Sequence, residues 1–265
     1  MPELPEVECA RQVVDRALHR TIVGVDDTDE FVCRPHAPGD LQRALKGGQL
    51  VAAHRRGKSI WCDMVDAGGD PGPALGIHLG MGGRIVVTGP AGTASGGDPV
   101  PVSGKAIWNR FVLRFDDGGE LRLFDKRRLG RVRLDPAIDA LGPDAAEISR
   151  ADFRTRVGRG TAPLKARLLD QATLAGVGNL LADETLWRAR LAPTRRAGSL
   201  SVEELDELRR VLRAAIRRAI LRGGVHTGDL IEHRRPGGHC PRCGAELVRA
   251  TIGSRTTWWC PAEQQ

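Results

Sequence analysis

The sequence of 265 residues predicts an α+β protein: an N-terminal β-sandwich with flanking helices, then a helical second domain with a cysteine-bearing C-terminal segment. Three observations predict it. Short β-rich runs separated by Gly, Pro and Asp turns fill most of the first half. Beyond about residue 150 apolar residues recur at helical spacing. Three of the six cysteines then crowd together near the C-terminus.

Each element has its own signal. Val7, Ala10, Val14, Ala17 and Leu18 form a helical stripe over residues 5–18, and Pro5 suits a first turn. Strand-like runs follow at residues 21–25, 50–55, 59–65, 74–79, 84–88, 107–115 and 120–124. Residues 89–104, rich in Gly, Pro and Ser, read as a loop. Asp135-Pro136 and Leu141-Gly142-Pro143 break the pattern and mark a linker. Ser201-Val202-Glu203-Glu204 is a capping box that opens a helix ended by Gly223-Gly224. The expected domains are therefore 1–134 (sandwich), 135–150 (linker), 151–224 (helical) and 225–265 (finger).

Composition narrows the function classes. Lys plus Arg number 40 against 33 acidic residues, a net charge of +7, which points to a polyanion and first to nucleic acid. Arg209, Arg210, Arg213, Arg217 and Arg218 line the outer face of the 201–222 helix and read as a solvated face. No apolar run approaches the length of a membrane span, and the acidic, proline-bearing start is neither signal nor transit peptide. A cytoplasmic monomer is expected, with no membrane partner. Cys9, Cys33 and Cys62 are scattered and read as ordinary thiols.

The N-terminus carries candidate chemistry. Met1 precedes a small residue, so trimming would expose Pro2 as a secondary amine. Such an amine can attack C1′ of a deoxyribose, displace the base and leave an iminium whose acidified C2′ protons permit β-elimination. Glu3 could act as general acid and base, and Glu6, one helical turn on, could orient water or the amine. The same pentapeptide is also an ordinary helix start, because acids are favoured there by the helix dipole.

Residues 1–8, Met-Pro-Glu-Leu-Pro-Glu-Val-Glu, resemble the start of formamidopyrimidine-DNA glycosylases, in the family that also contains endonuclease VIII. The likeness continues in order. Arg56-Gly57-Lys58-Ser59 is similar to the hairpin that bears a catalytic lysine, which maps to Lys58. His78-Leu79-Gly80-Met81-Gly82-Gly83 is similar to the stretch that holds an intercalating methionine. Asp125-Lys126-Arg127-Arg128-Leu129-Gly130 is similar to the loop that fills the space of an everted base. Residues 168–171 and 176–184 resemble the helix–two-turn–helix motif.

The resemblance implies a base-excision enzyme that removes oxidised bases (formamidopyrimidines, 8-oxoguanine or oxidised pyrimidines) and cuts the strand as a lyase at abasic sites. Its partner would be double-stranded DNA carrying such lesions. Pro2, Glu3, Glu6 and Lys58 would be catalytic. His78, Met81, Arg127, Leu129, Asn179 and Arg255 would bind DNA, with Met81, Arg127 and Leu129 wedged into the stack. Asn179 and the free N–H groups of its helix would grip a phosphate. Two departures bear on the lesion: Leu129 stands where glycosylases for oxidised guanine usually carry Phe, and the segment 223–238 is short. The alternative is a binder of damaged or abasic DNA with the same fold and little base excision.

Cys240-Pro241-Arg242-Cys243, sixteen residues and then Cys260 have zinc-ribbon spacing. The family pattern places a fourth cysteine where this chain has Glu263. Glu263 could supply an oxygen ligand, His239 or water could complete the tetrahedron, or the hairpin could fold without zinc as in zincless relatives.

Overall fold

The chain, described at residues 1–98 and 105–265 in a computed structural model, divides into two units. The first holds residues 1–2 and 6–138, the second residues 3–5 and 139–265.

In the first unit α1 (Leu4–Val14) buries Val7, Ala10 and Val14 against two antiparallel sheets. One sheet has the order β1 (Ile22–Asp26), β7 (Asn109–Phe115), β8 (Glu120–Phe124), β5 (Arg84–Gly89), β6 (Gly92–Gly97). The other runs β2 (Gln49–Arg56), β3 (Ser59–Val65), β4 (Leu75–His78), β9 (Arg131–Leu134). Ile60, Cys62, Leu75, Ile77 and Val132 from the second sheet share one buried cluster with Ile85, Phe111, Leu113, Leu121 and Leu123 from the first. Two sheets burying facing side chains make the expected sandwich. Short helices α2 (Glu30–Cys33) and α3 (Asp40–Leu45) add Val32, Leu41 and Leu45 to it.

The Gly-rich loop is a point of difference. Residues 92–97 pair along β5, while residues 99–104 lie outside the described residues. The glycine content reflects packing rather than looseness: a Cβ on Gly96 would stand 2.6 Å from the carbonyl oxygen of Cys9 on α1. Strand β9 also escapes the sequence pattern, since it is only four residues long and follows a polar loop.

The second unit contains α4 (Arg150–Val157), α5 (Leu164–Leu169), α6 (Asn179–Ala189) and α7 (Val202–Arg222), then a hairpin of β10 (Val248–Ile252) and β11 (Arg255–Trp259). The Ser201/Glu204 capping box is formed, and Gly223, at φ 86°, ends α7. Phe153, Leu164, Leu168, Leu181, Leu186, Leu208, Leu212 and Ile216 build the helical core. Trp187, Leu230, Cys240, Leu247, Trp258 and Cys260 form a smaller cluster under the hairpin. No helix among the described residues is long and apolar enough to cross a membrane.

Candidate functional site

In the first unit Pro2 is buried, and the Met1 amine lies 3.9 Å from the Asp98 carboxylate. Glu6 is also buried, in the first turn of α1. Lys58 occupies the two-residue turn between β2 and β3, where Arg56 pairs with Ser59 and Gly57 supplies φ 59°.

His78 ends β4, and its Nδ1 accepts the Gly80 N–H at 3.1 Å. Desolvation first, then the Lys58 and Arg133 cations, hold its pKa below the ordinary histidine value. The shift favours the neutral imidazole, whose Nδ1 accepts the Gly80 N–H that shapes the next turn. Gly80, at φ 60°, leads into exposed Met81, and a Cβ at Gly80 would stand 2.3 Å from the Leu129 carbonyl oxygen. The Met81 turn and the 125–130 loop thus lie backbone to backbone.

Asp125 shapes that second loop. Its buried carboxylate accepts the N–H groups of Arg127 (2.9 Å), Leu129 (2.8 Å) and Gly130 (2.7 Å). Arg128 turns back at φ 54° onto Asp29, with two contacts of 2.9 Å. Burial alone would raise the Asp29 pKa, but the Arg128 guanidinium and nearby N–H groups outweigh it and hold the carboxyl low. Arg127 and Leu129 are left exposed beside Met81.

In the second unit Glu3 is 1% exposed and sits on the N-terminus of α6. Its Oε1 accepts the Leu180 N–H at 2.9 Å and its Oε2 the Leu181 N–H at 3.0 Å. A negative group favoured by the helix dipole fills the end of the helix. The backbone allows the approach because residue 178 is glycine: a Cβ there would stand 2.2 Å from the Glu3 carboxyl carbon. This corrects the expectation that the free N–H groups of this helix await a phosphate; two of them are taken by Glu3. Asn179, the first residue of α6, is no simple cap either, since its Nδ2 donates to the Thr256 carbonyl at 3.0 Å.

Thr256 belongs to the hairpin, whose turn residues Gly253 (φ 58°) and Ser254 (φ 60°) present exposed Arg255. A group unforeseen from the sequence holds this hairpin. Lys165 and Asp183 are fully buried and pair at 2.7 Å. Lys165 also donates to the Thr257 hydroxyl at 2.8 Å. Asp183 accepts from Arg234 Nε at 2.9 Å and from the Trp258 N–H at 3.2 Å. Burial pushes the Lys165 pKa down and that of Asp183 up, the mark of an ion pair taken out of water. The available signal was a lysine set among Leu164, Leu168 and Leu169 on a short apolar helix.

The Sγ atoms of Cys240, Cys243 and Cys260 lie within 4.8 Å of one another. Burial would raise Cys240, yet N–H donors from Trp187, Cys243 and Arg242 outweigh it and bring the thiol down to about 7. Backbone N–H groups of Ala262 and Glu263 point likewise at Cys260, although burial and the Cys243 thiol leave it raised to about 11. Three thiols with donor-rich turns suit a thiophilic cation. Glu263 does not join them: its carboxylate pairs with Arg242 at 2.9 Å. His239 is exposed and also lies outside the cluster.

Residues 1–132 match the family model of the formamidopyrimidine-DNA glycosylase N-terminal domain, and residues 140–229 match that of its H2TH domain. The chain belongs to the formamidopyrimidine-DNA glycosylase family. A formamidopyrimidine-DNA glycosylase of a Roseiflexus species is 35% identical over 291 residues, covering all of both chains. That of Chloroflexus aggregans is 33% identical over 284 residues, 98% of each. Among solved structures, a Lactococcus lactis Fpg bound to DNA containing an oxidised pyrimidine superposes with a TM-score of 0.80 at 26% identity, covering all of both chains. A second, with an abasic site in its DNA, gives 0.78 at 25% identity and 99% coverage of each. The sandwich, the helical motif and the cysteine hairpin of this family member are thus those of DNA glycosylases.

Proposed function

We propose that this glycosylase excises oxidised bases and then cleaves the strand, with Pro2 as nucleophile. Loss of Met1 makes the Pro2 nitrogen the terminal secondary amine. That nitrogen forms a bond to C1′ as the bond from C1′ to the base breaks, and the base leaves with the electron pair and a proton. The C1′–O4′ bond then breaks, O4′ keeps the bonding pair and takes a proton from the Glu3 carboxyl, and the nitrogen lone pair forms the iminium. Removal of a C2′ proton then expels the 3′ phosphate, so the bonding electrons end on the departing phosphate.

The observation that carries this reading is the fixed carboxylate of Glu3. It adjoins the nucleophile in sequence, and two N–H groups of α6 hold it in one orientation, as a proton-transfer group requires. Lys58, Asn179 and Arg255 would hold phosphates, and Met81, Arg127 and Leu129 would occupy the space of the everted nucleotide. Neighbouring structures held abasic, formamidopyrimidine and oxidised-pyrimidine DNA, which supports the same lesion classes here. Cys240, Cys243 and Cys260 would hold a zinc ion, which when bound supplies a structural cross-link for the segment that carries Arg255.

Borohydride trapping on an abasic-site duplex tests the mechanism. Trimmed protein should yield a covalent adduct that peptide mapping places on the Pro2 nitrogen and that disappears when Met1 is retained. Trimmed wild-type protein that cuts the strand without a trappable adduct would refute the proline mechanism.

A further inference from the structure

We propose that the three-cysteine centre keeps its fourth coordination position open to a small external donor, a thiol or an imidazole, because Glu263 is committed to an ion pair. This rests on the reading that the finger binds a metal ion. A tetrahedral ion with metal–sulfur bonds of about 2.3 Å sets its sulfurs roughly 3.8 Å apart. Cys243 and Cys260 are 3.5 Å apart, and all three sulfurs lie within 4.8 Å. The three sulfurs are close enough together to share one such ion. Among the described residues no carboxylate or imidazole joins them at that spacing.

Glu263 is held elsewhere. Its Oε2 lies 2.9 Å from Arg242 Nε and 3.6 Å from Arg190 Nε, a pairing of charges without a linear hydrogen bond. Arg242 cannot easily follow a moving carboxylate. Its Nη2 donates to the Trp187 carbonyl at 2.6 Å, and its guanidinium lies 4.2 Å from the Trp187 ring centroid. Moving Glu263 onto a metal would give up this ion pair and leave Arg242 with its Trp187 contacts alone. The pair also has a use where it is. Arg242 stands in the Cys240–Cys243 turn and Glu263 in the turn after Cys260, so their contact ties together the two turns that a fourth cysteine would join through the metal. Gln264 strengthens the same turn, accepting the Cys260 N–H and donating to the Leu191 carbonyl, both at 2.9 Å. Cys243 is exposed, so the thiol cluster borders solvent on its side.

Cobalt(II) is the probe. The full chain, loaded with cobalt(II) alone in thiol-free buffer, should show tetrahedral bands with three-thiolate charge transfer. Adding 2-mercaptoethanol should raise the thiolate-to-cobalt absorption by about one third, as three sulfurs become four, whereas imidazole should shift the ligand-field bands without that rise. Glu263→Gln should reproduce the wild-type spectrum and both responses. Glu263→Cys should start at the four-sulfur intensity and respond to neither donor. A spectrum altered by Glu263→Gln, or one insensitive to both donors, overturns the open position while leaving metal binding intact. No cobalt absorption in the wild-type chain overturns the metal reading and this one together.

Discussion

At the scale of single residues, Glu3 shows how backbone N–H groups at a helix end fix the orientation of a carboxylate. Each of its two oxygens accepts one N–H, from Leu180 and Leu181, and the room for it exists because Gly178 has no side chain. Gly178 has φ −118°, an ordinary value, so alanine there would be free of backbone strain and its effect would be steric alone. Gly178→Ala should push Glu3 off the helix end and slow base excision by roughly 10²-fold, the size expected for a reacting group misplaced by about an ångström. Single-turnover excision against binding of a non-cleavable abasic analogue separates the two effects: the rate should fall while affinity is kept. An unchanged rate would mean that the orientation of Glu3 is irrelevant to the slow step. Glu3 was legible in the sequence as a candidate acid–base group, but its receptor was not. The contact spans 177 positions in the chain and depends on backbone N–H groups, which no residue pattern encodes. Glu263 stands outside the thiol cluster for a related reason, because its partner Arg242 is recognisable only once both turns are folded.

At the scale of elements, the seven strand-like runs and the capped helix were legible because their apolar periodicity is paid out over whole segments. β6 was not, since its glycines serve packing against α1 and carry no strand pattern. The β10–β11 hairpin depends on a feature still harder to read, the buried Lys165–Asp183 pair beneath it. A charged pair on helices normally reads as solvated. Here Lys165 reaches the Thr257 hydroxyl while Asp183 takes the Trp258 N–H, so one ion pair grips two successive residues of β11. Removing Asp183 leaves Lys165 in the interior without its carboxylate, and removing Lys165 leaves the buried Asp183 to Arg234 alone. Lys165→Met should destabilise the second unit by about 3–5 kcal/mol. Lys165→Met combined with Asp183→Leu should cost less than the sum of the two single changes, because the contact between them is counted once; Arg234 still loses its carboxylate in the double variant. Denaturant unfolding of the singles and the double checks this; strict additivity would show that the two groups do not depend on each other.

At the scale of the whole molecule, a net charge of +7 is a poor guide to how many cations are available to DNA. Many arginines are already committed. Arg210 is bound to Glu207, Arg195 to Glu204, and Arg218 and Arg222 both face Asp229. Arg209 donates to the Ile148 carbonyl. Arg127 and Arg255 differ: both are exposed, and neither side chain has an ion pair among the described residues. DNA affinity should therefore depend on salt through a small set of such cations rather than through total charge. Each phosphate neutralised on duplex DNA contributes about 0.9 to the slope of log K against log salt concentration. Arg255→Gln should lower that slope by about 1 and weaken binding to every duplex sequence alike. Arg210→Gln removes the same formal charge from the molecule but should leave the slope unchanged, because its cation already has a carboxylate. Measuring both variants on one uncleavable abasic duplex separates the two origins. Equal losses of slope would show that DNA senses the overall field, and the assignment of Arg255 to a particular phosphate would fall.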